Sequence, residues 1–302
     1  PEEMVATVLP GTPLSELQAA LAGEGQQLGF EPLDLGPLYG QSADCGTVGG
    51  AVGCNYGGPR RPRAGAVRDH VLGLSCVSGR GEAFKCGGRV VKNVTGYDLC
   101  KIMTGSFGTL AALTEITLRV VPVPEHTATL LYHGLDDQQA VRAMAAALGS
   151  RTEVSAAAHV PKDLASCLGS LDGIAETSVT ALRLEGPIPS VQERVRALKQ
   201  VPVPSDPVSA VLDDGNSKRF WAMVRDVTPF IGNPHEVLWR ISIPPADGAR
   251  AVGEISKQLN ARWLYDWGGG LVWISVDGEA DDGGASVIRG VVAVSGGHAT
   301  LV

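Results

Sequence analysis

Glycine density divides this chain more sharply than any other feature. Of 39 glycines in 302 residues, 21 lie in residues 1–121 and 18 in the rest. Against a usual frequency of about 7%, the first stretch must be built from tight turns and close backbone approaches, where a Cβ would not fit. The change of character comes at Pro122-Val123-Pro124, directly after a strand pattern at Leu113–Val121. The expected organisation is therefore two domains, residues 1–121 and 122–302, in keeping with roughly 100–200 residues per domain.

Within the first region a strand is predicted over Met4–Leu9. A helix follows, with Thr12 as its cap, Pro13 in its first turn and Leu14, Leu17, Ala20 and Leu21 on one face. From Leu28 to Gly58 the pattern reads as loop. Strands are predicted near Val71–Ser78, Glu82–Cys86 and Val90–Asn93, then a short helix Asp98–Met103 and the Leu113–Val121 strand. The second region alternates strands with amphipathic helices. Strands are expected at Thr127–His133, Thr152–His159, Ser178–Leu184, Val208–Leu212 and Glu236–Ile243. Helices are expected at Asp137–Leu148, Lys162–Leu171, Ser190–Lys199 and Ala246–Leu259. A hairpin, Trp263–Trp267 with Leu271–Val276, turns at Gly268-Gly269-Gly270. The fold class this predicts is α+β, with helices covering one face of a sheet.

The formal net charge of -7 excludes a general nucleic-acid binder, which needs a basic face to displace counterions. Six cysteines stand at scattered positions with no Cys-x-x-Cys pair, so neither a zinc nor an iron–sulfur motif is written here. They read as reduced thiols, which with the lack of a bilayer-spanning apolar run or signal peptide predicts a cytoplasmic protein. Both ends look cut: Pro1 is no initiator, and His298–Val302 stops inside an apolar run.

Three segments carry chemistry. Thr47 to Pro59 holds five glycines among small side chains, so a backbone can lie flat against a ligand, and successive amides can converge on an anion. The same composition equally suits a glycine-rich turn with no ligand. Neither a Gly-x-Gly-x-x-Gly nor a Walker pattern is present. Arg60, Arg61, Arg63 and Arg68 follow at once, able to grip phosphate or carboxylate, or simply to form a solvated basic loop. Val91 to Leu110 contains a Gly-Tyr-Asp turn, a short helix ending at Gly105, and Gly-Ser-Phe-Gly-Thr-Leu, which brings amides and two hydroxyls together before a strand.

Together these runs resemble the FAD-binding domain of the vanillyl-alcohol-oxidase-like, PCMH-type flavoproteins, and among them the FAD-binding subunits of glycolate oxidases. The residues that carry this are Thr-Val-Gly-Gly-Ala at 47–51, Gly-Pro-Arg-Arg-Pro at 58–62 and Gly-Ala-Val-Arg-Asp-x-Val-Leu-Gly at 65–73. Val-Lys-Asn-Val-Thr-Gly-Tyr-Asp-Leu at 91–99 and Gly-Ser-Phe-Gly-Thr-Leu at 105–110 complete them. The resemblance is specific over residues 40–121 and weak beyond 124. It implies a PCMH-type FAD-binding domain, incomplete at its N-terminus, followed by an α+β cap-like domain with an antiparallel sheet. It also implies FAD contacts at Thr47, Val48, Gly49, Gly50, Asn55, Gly58, Arg68, Gly105, Ser106, Gly108, Thr109 and Ile116. The implied activity is oxidation of glycolate to glyoxylate by hydride transfer to flavin, in a complex with a second flavin subunit and an iron–sulfur subunit. Such a complex would sit in the cytoplasm, peripheral to the inner face of the membrane. Three departures stand out: the family's earlier glycine loop would precede Pro1, Ala111 replaces a glycine common among relatives, and the closing C-terminal segment is not evident.

No catalytic base is legible. His70, His126, His133, His159, His235 and His298 show neither His-x-His nor His-x-x-x-His spacing, so no metal cluster is written in the sequence. Related D-2-hydroxyacid dehydrogenases carry paired histidines, and their lack here points to a chain that binds flavin without a full substrate site. Each histidine also reads as a satisfied structural residue. Arg183 and Arg240 could face the flavin or be paired elsewhere. The five tryptophans read as core packing. Two other functions stay open: a self-sufficient FAD-linked D-2-hydroxyacid or alcohol oxidoreductase, and a non-catalytic assembly module.

Overall fold

The computed structural model describes residues 3–88, 97–168, 177–205, 207–278 and 282–302. The strand expected at Val90–Asn93 lies outside them, as does the end of the helix expected to reach Leu171. Two compact units result, Pro1–Val123 and Pro124–Val302.

In the first unit β1 (Val5–Val8), β2 (Gln26–Leu28), β3 (Val71–Ser78), β4 (Ala83–Gly87) and β5 (Ala111–Pro122) form an antiparallel sheet. Its order is β1-β5-β3-β4, with β2 also paired to β5. Among the described residues, four helices belong to this unit: α1 (Leu14–Gly23), α2 (Val48–Cys54), α3 (Arg61–Ala64) and α4 (Leu99–Met103). Leu14, Leu17 and Leu21 repeat at helical spacing and bury one face of α1 against Val48 and Val52 of α2 and Ile116 and Leu118 of β5. Pro13, not Thr12, is the cap residue of α1, and no side chain bonds there. Thr12 instead gives its carbonyl to the amide of Val48, 3.0 Å away.

Among the described residues, the second unit has an antiparallel sheet of eight strands in the order β13-β10-β12-β11-β7-β8-β6-β9. They are β6 (His126–His133), β7 (Ala156–Val160), β8 (Val179–Gly186), β9 (Ser209–Leu212), β10 (Glu236–Ser242), β11 (Ala261–Asp266), β12 (Leu271–Asp277) and β13 (His298–Leu301). The helices are α5 (Asp137–Leu148), α6 (Lys162–Ala165), α7 (Ile188–Leu198), α8 (Asp214–Arg225), α9 (Gly248–Ser256) and α10 (Ala285–Ala293). Strand pairing puts Leu130, Ala157, Leu182, Tyr265, Ile274 and Trp239 on one face. That face packs on Met144 of α5, Val191 of α7, Val252 of α9 and Ile288 of α10 in one core.

The expectation of helices on one face only is corrected by α8. Its Trp221 donates Nε1–H to Thr129 Oγ1 at 2.9 Å, and Thr129 points away from its neighbours Ala128 and Leu130, which lie in the helix-covered core. Arg183 and Arg240 share this second face. Arg183 lies over the Trp221 ring at 4.8 Å, and Arg240 over Trp267 and Trp273 at 5.1 and 5.9 Å.

Candidate functional site

The glycine-rich run after Thr47 is a helix, not a loop. Thr47 is extended and accepts the Gly50 amide on Oγ1 at 3.1 Å, so it is an N-cap. Val48 and Val52, one turn apart, are buried and anchor α2 to the core. The segment Leu28–Gly58 therefore holds an ordered element where the composition suggested none.

Both ends of α2 are held by distant chain. A helix leaves its first amides and last carbonyls without internal partners. Here Val48 N–H goes to Thr12 C=O at 3.0 Å and Gly49 N–H to Pro10 C=O at 2.8 Å. A Cβ on Gly49 would stand 2.8 Å from the Pro10 carbonyl oxygen, so glycine permits that approach. At the other end the Gly105 amide donates to Val52 C=O at 3.0 Å and the Phe107 amide to Gly53 C=O at 2.9 Å. The two predicted ligand segments, 47–59 and 105–110, are thus bonded directly to each other.

This geometry corrects one expectation. The amides of Val48, Gly49 and Gly50 do not converge on an anion, because each already has an acceptor within the chain. What remains toward solvent is a shelf of small residues. Gly50 and Gly53 sit one turn apart on α2; beyond the cap oxygen 3.4 Å from a Cβ at Gly50, neither position meets a neighbour, and Gly108 is equally open. Gly108 has φ +70° and Phe107 φ +52°; Phe107, Gly108 and Thr109 are exposed. Such a surface admits a flat ligand at close range.

The remaining predicted residues fall around that shelf. Asn55 ends α2 in the left-handed region, φ 54° and ψ 35°, and its Oδ1 accepts the Arg68 amide at 3.2 Å. Gly105, at φ +86°, packs so closely that a Cβ would lie 3.0 Å from that of Asn55. The Arg68 side chain is exposed. Gly58 is buried and bonded to Phe30 C=O at 2.9 Å. Ser106 accepts Thr109 Oγ1–H at its carbonyl, 2.6 Å away. Ile116 lies in mid-β5 with its side chain wholly in the core. Arg60 binds inward, its amide 2.7 Å from Glu31 Oε2 and its guanidinium paired with the same carboxylate at 3.8 Å. Burial and the nearby Arg68 charge push the Arg61 guanidinium down from its usual value. Sequence reasoning quoted Tyr56 and Phe107 within their segments but gave neither a role; their rings meet edge to face at 6.4 Å. It also missed the carbonyls of Val52 and Gly53, which have no side-chain signature.

Two histidines are committed to structure. His70 is 1% exposed, with Nε2 3.0 Å from the Ala64 carbonyl, and burial together with Arg119 lowers its pKa. His159 is fully buried, with Nδ1 2.8 Å from Thr180 Oγ1 and Nε2 3.3 Å from Asp137 Oδ1. No group of three or more His, Cys, Asp or Glu side chains is placed to hold a metal ion among the described residues. Nor is any described helix long and apolar enough to cross a membrane.

Removing the cap tests how far α2 depends on Thr47. Thr47→Ala is expected to cost about 1 kcal/mol, seen as a lower urea midpoint at unchanged slope.

Residues 1–87 match the FAD binding domain family. Over 301 residues the chain is 34% identical to glycolate oxidase subunit GlcE of Escherichia coli (strain K12), covering 99% of this chain and 72% of that one. It is also 37% identical over 137 residues to glycolate oxidase subunit GlcD of Bacillus subtilis (strain 168), 45% of this chain and 27% of that one. The fold is like that of 4-ethylphenol oxidase from Gulosibacter chungangensis, with a TM-score of 0.68 at 13% identity, over 97% of this chain and 66% of the oxidase. With near-complete alignment to GlcE and an FAD-binding family match over the residues that build α2, the chain belongs to the glycolate oxidase GlcE subunit family of FAD-linked oxidoreductases.

Proposed function

We propose that this chain is the FAD-binding core of one subunit of a glycolate-oxidase-type complex, which oxidises glycolate, a 2-hydroxy acid, to glyoxylate. The observation that carries the reading is the direct bonding of α2 to the 105–107 turn, which leaves an open, small-residue shelf. A flavin fits such a shelf because Gly50, Gly53 and Gly108 present no side chain against a flat ring system. Thr47, Val48 and Gly49 would hold the position of α2, while Asn55, Gly58 and Gly105 would fix the turns that border it. Ser106 and Thr109 would offer hydroxyls, Arg68 a cation, and Ile116 the supporting core.

FAD, when bound, supplies the two-electron acceptor for the substrate's α-hydrogen. The hydroxyl proton needs a base. Both ring nitrogens of His159 face protein groups, and His70 is buried. Neither is open to substrate, and we take the base to come from a partner. In this reading the partners are a second flavin subunit and an iron–sulfur subunit, and the complex is peripheral to the inner face of the membrane.

The test is full-length protein purified with and without its partners. Denaturation should release a full equivalent of flavin per chain. Under anaerobic conditions glycolate should bleach the flavin in the complex and leave the isolated chain unbleached. Flavin-free chain in an otherwise loaded complex would overturn the reading, and bleaching of the isolated chain would favour a self-sufficient oxidoreductase. Gly105→Val strains a positive φ and crowds Asn55. At about 1–3 kcal/mol of backbone strain, flavin retention should fall roughly tenfold or more, read as flavin content after gel filtration.

A further inference from the structure

Three thiols meet beneath β4. Cys76 and Cys86 lie diagonally on one face of the β3–β4 ladder, where Leu74 pairs with Cys86 and Cys76 with Phe84. Cys100, on α4, brings its sulfur to 3.6 Å from that of Cys86. Gly87 makes this approach possible: its φ is +67°, and a Cβ there would stand 2.7 Å from the Cys100 sulfur. Cys76 and Cys100 are buried, while Cys86 is half-buried on strand β4. Burial, first, and the neighbouring Cys86 thiol push the Cys100 thiol well above its usual range. A half-buried cysteine is therefore set directly against a buried one.

We propose that Cys86 and Cys100 form a dithiol site that a hydroperoxide converts to a disulfide tying β4 to α4. The Cys86 thiolate attacks the peroxide, breaking the O–O bond and giving Cys86 sulfenic acid and hydroxide. The Cys100 sulfur then displaces the sulfenic oxygen, forming the S–S bond. In sum two thiols and hydrogen peroxide give one disulfide and two waters, the two electrons passing to the peroxide oxygens. Closing the bond requires the sulfurs to move from 3.6 Å to about 2.05 Å. The exposed Cys45 and Cys167 serve as internal controls. The site goes beyond the proposed activity and does not depend on it. Its position matters because α4 runs through Thr104 into the turn that bonds the C-terminal carbonyls of α2.

Full-length protein is treated with hydrogen peroxide, alkylated with iodoacetamide and digested with trypsin without reductant. Cleavage after Lys85, Arg89, Lys92 and Lys101 leaves Cys86 in peptide 86–89 and Cys100 in peptide 93–101. The expected product is these two peptides joined, lighter by two hydrogens than their sum and separated by a phosphine. In the Cys100→Ser variant, Cys86 should stop at the sulfenic acid and be trapped by dimedone. Two results would overturn the proposal. One is alkylation of both thiols after Cys45 and Cys167 have oxidised; the other is peptide 86–89 joined instead to peptide 69–80, which carries Cys76.

Discussion

Asp137→Ala is expected to destabilise the second unit by about 3 kcal/mol, because each buried donor left unpaired costs about 1–3 kcal/mol. Asp137 opens α5 and accepts Trp263 Nε1–H at 2.8 Å and Tyr265 O–H at 2.7 Å on one carboxylate oxygen. His159 faces the other oxygen at 3.3 Å. Those donors lie on β7 and β11, so one side chain ties a helix N-terminus to two strands. The carboxylate also suits the positive end of the helix dipole. Urea denaturation of Asp137→Ala and Asp137→Asn separates the parts. The amide can keep only some of the bonds, so Asn should fall between wild type and Ala.

The same carboxylate sets an acid limit. Burial raises its pKa, but hydrogen bonds from His159, Tyr265 and Trp263, with the charge of His159, outweigh burial and hold it below the usual value. A carboxylate whose folded pKa is depressed contributes stability above the unfolded pKa, about 3.9, and loses it as pH falls through the folded value. The wild-type denaturation midpoint should therefore drop below about pH 4, and that part of the drop should be missing in Asp137→Asn. The same slope in both proteins would assign the acid sensitivity to other groups. Tyr265 is pushed the opposite way, by burial and by Asp137 itself, and stays a neutral donor.

Gly87→Ala is expected to cost about 4 kcal/mol, joining positive-φ strain to overpacking. At φ +67° the new Cβ would lie 2.0 Å from Leu72 C=O, 3.0 Å from Gly73 Cα and 2.7 Å from the Cys100 sulfur. Two of those three neighbours are backbone on the paired strand, which cannot swing aside. Loss of the β3–β4 ladder should appear as rapid amide exchange at residues 71–78 and early proteolysis after Lys85. Gly53→Ala is the matched control, since its Cβ would meet nothing within 4 Å; it should leave stability within about 0.5 kcal/mol of wild type.

Elements whose ends carry chemistry were legible in the sequence. Helix α5 runs Asp137–Leu148 as predicted, because Asp136 and Gln139 form a reciprocal capping box and Ala140, Met144 and Ala147 recur on the buried face. Strand β3 likewise matches its pattern of Val and Leu at Val71–Ser78. Helix α2 was hidden because glycines at 49, 50 and 53 depress helix propensity; tertiary bonds at both its ends override that. Helix α8 was hidden too, since Asp213, Asp214, Gly215 and Asn216 look like a turn, yet Asp213 caps the helix and Phe220, Trp221 and Val224 bury its face. In the candidate site, the two segments and their glycines could be named from residue types alone. Their mutual bonding could not, because Val52 and Gly53 contribute carbonyls, and every residue has one.

The hold of Pro10 and Thr12 on the start of α2 makes two remote stretches of chain behave as a single lever. Any force that shifts the end of β1 is delivered to the helix, and from its far end to the 105–107 turn, without a side chain in between. Isotope exchange at Val48 and Gly49 would then clock the parting of that lever from its anchor rather than fraying of the helix itself.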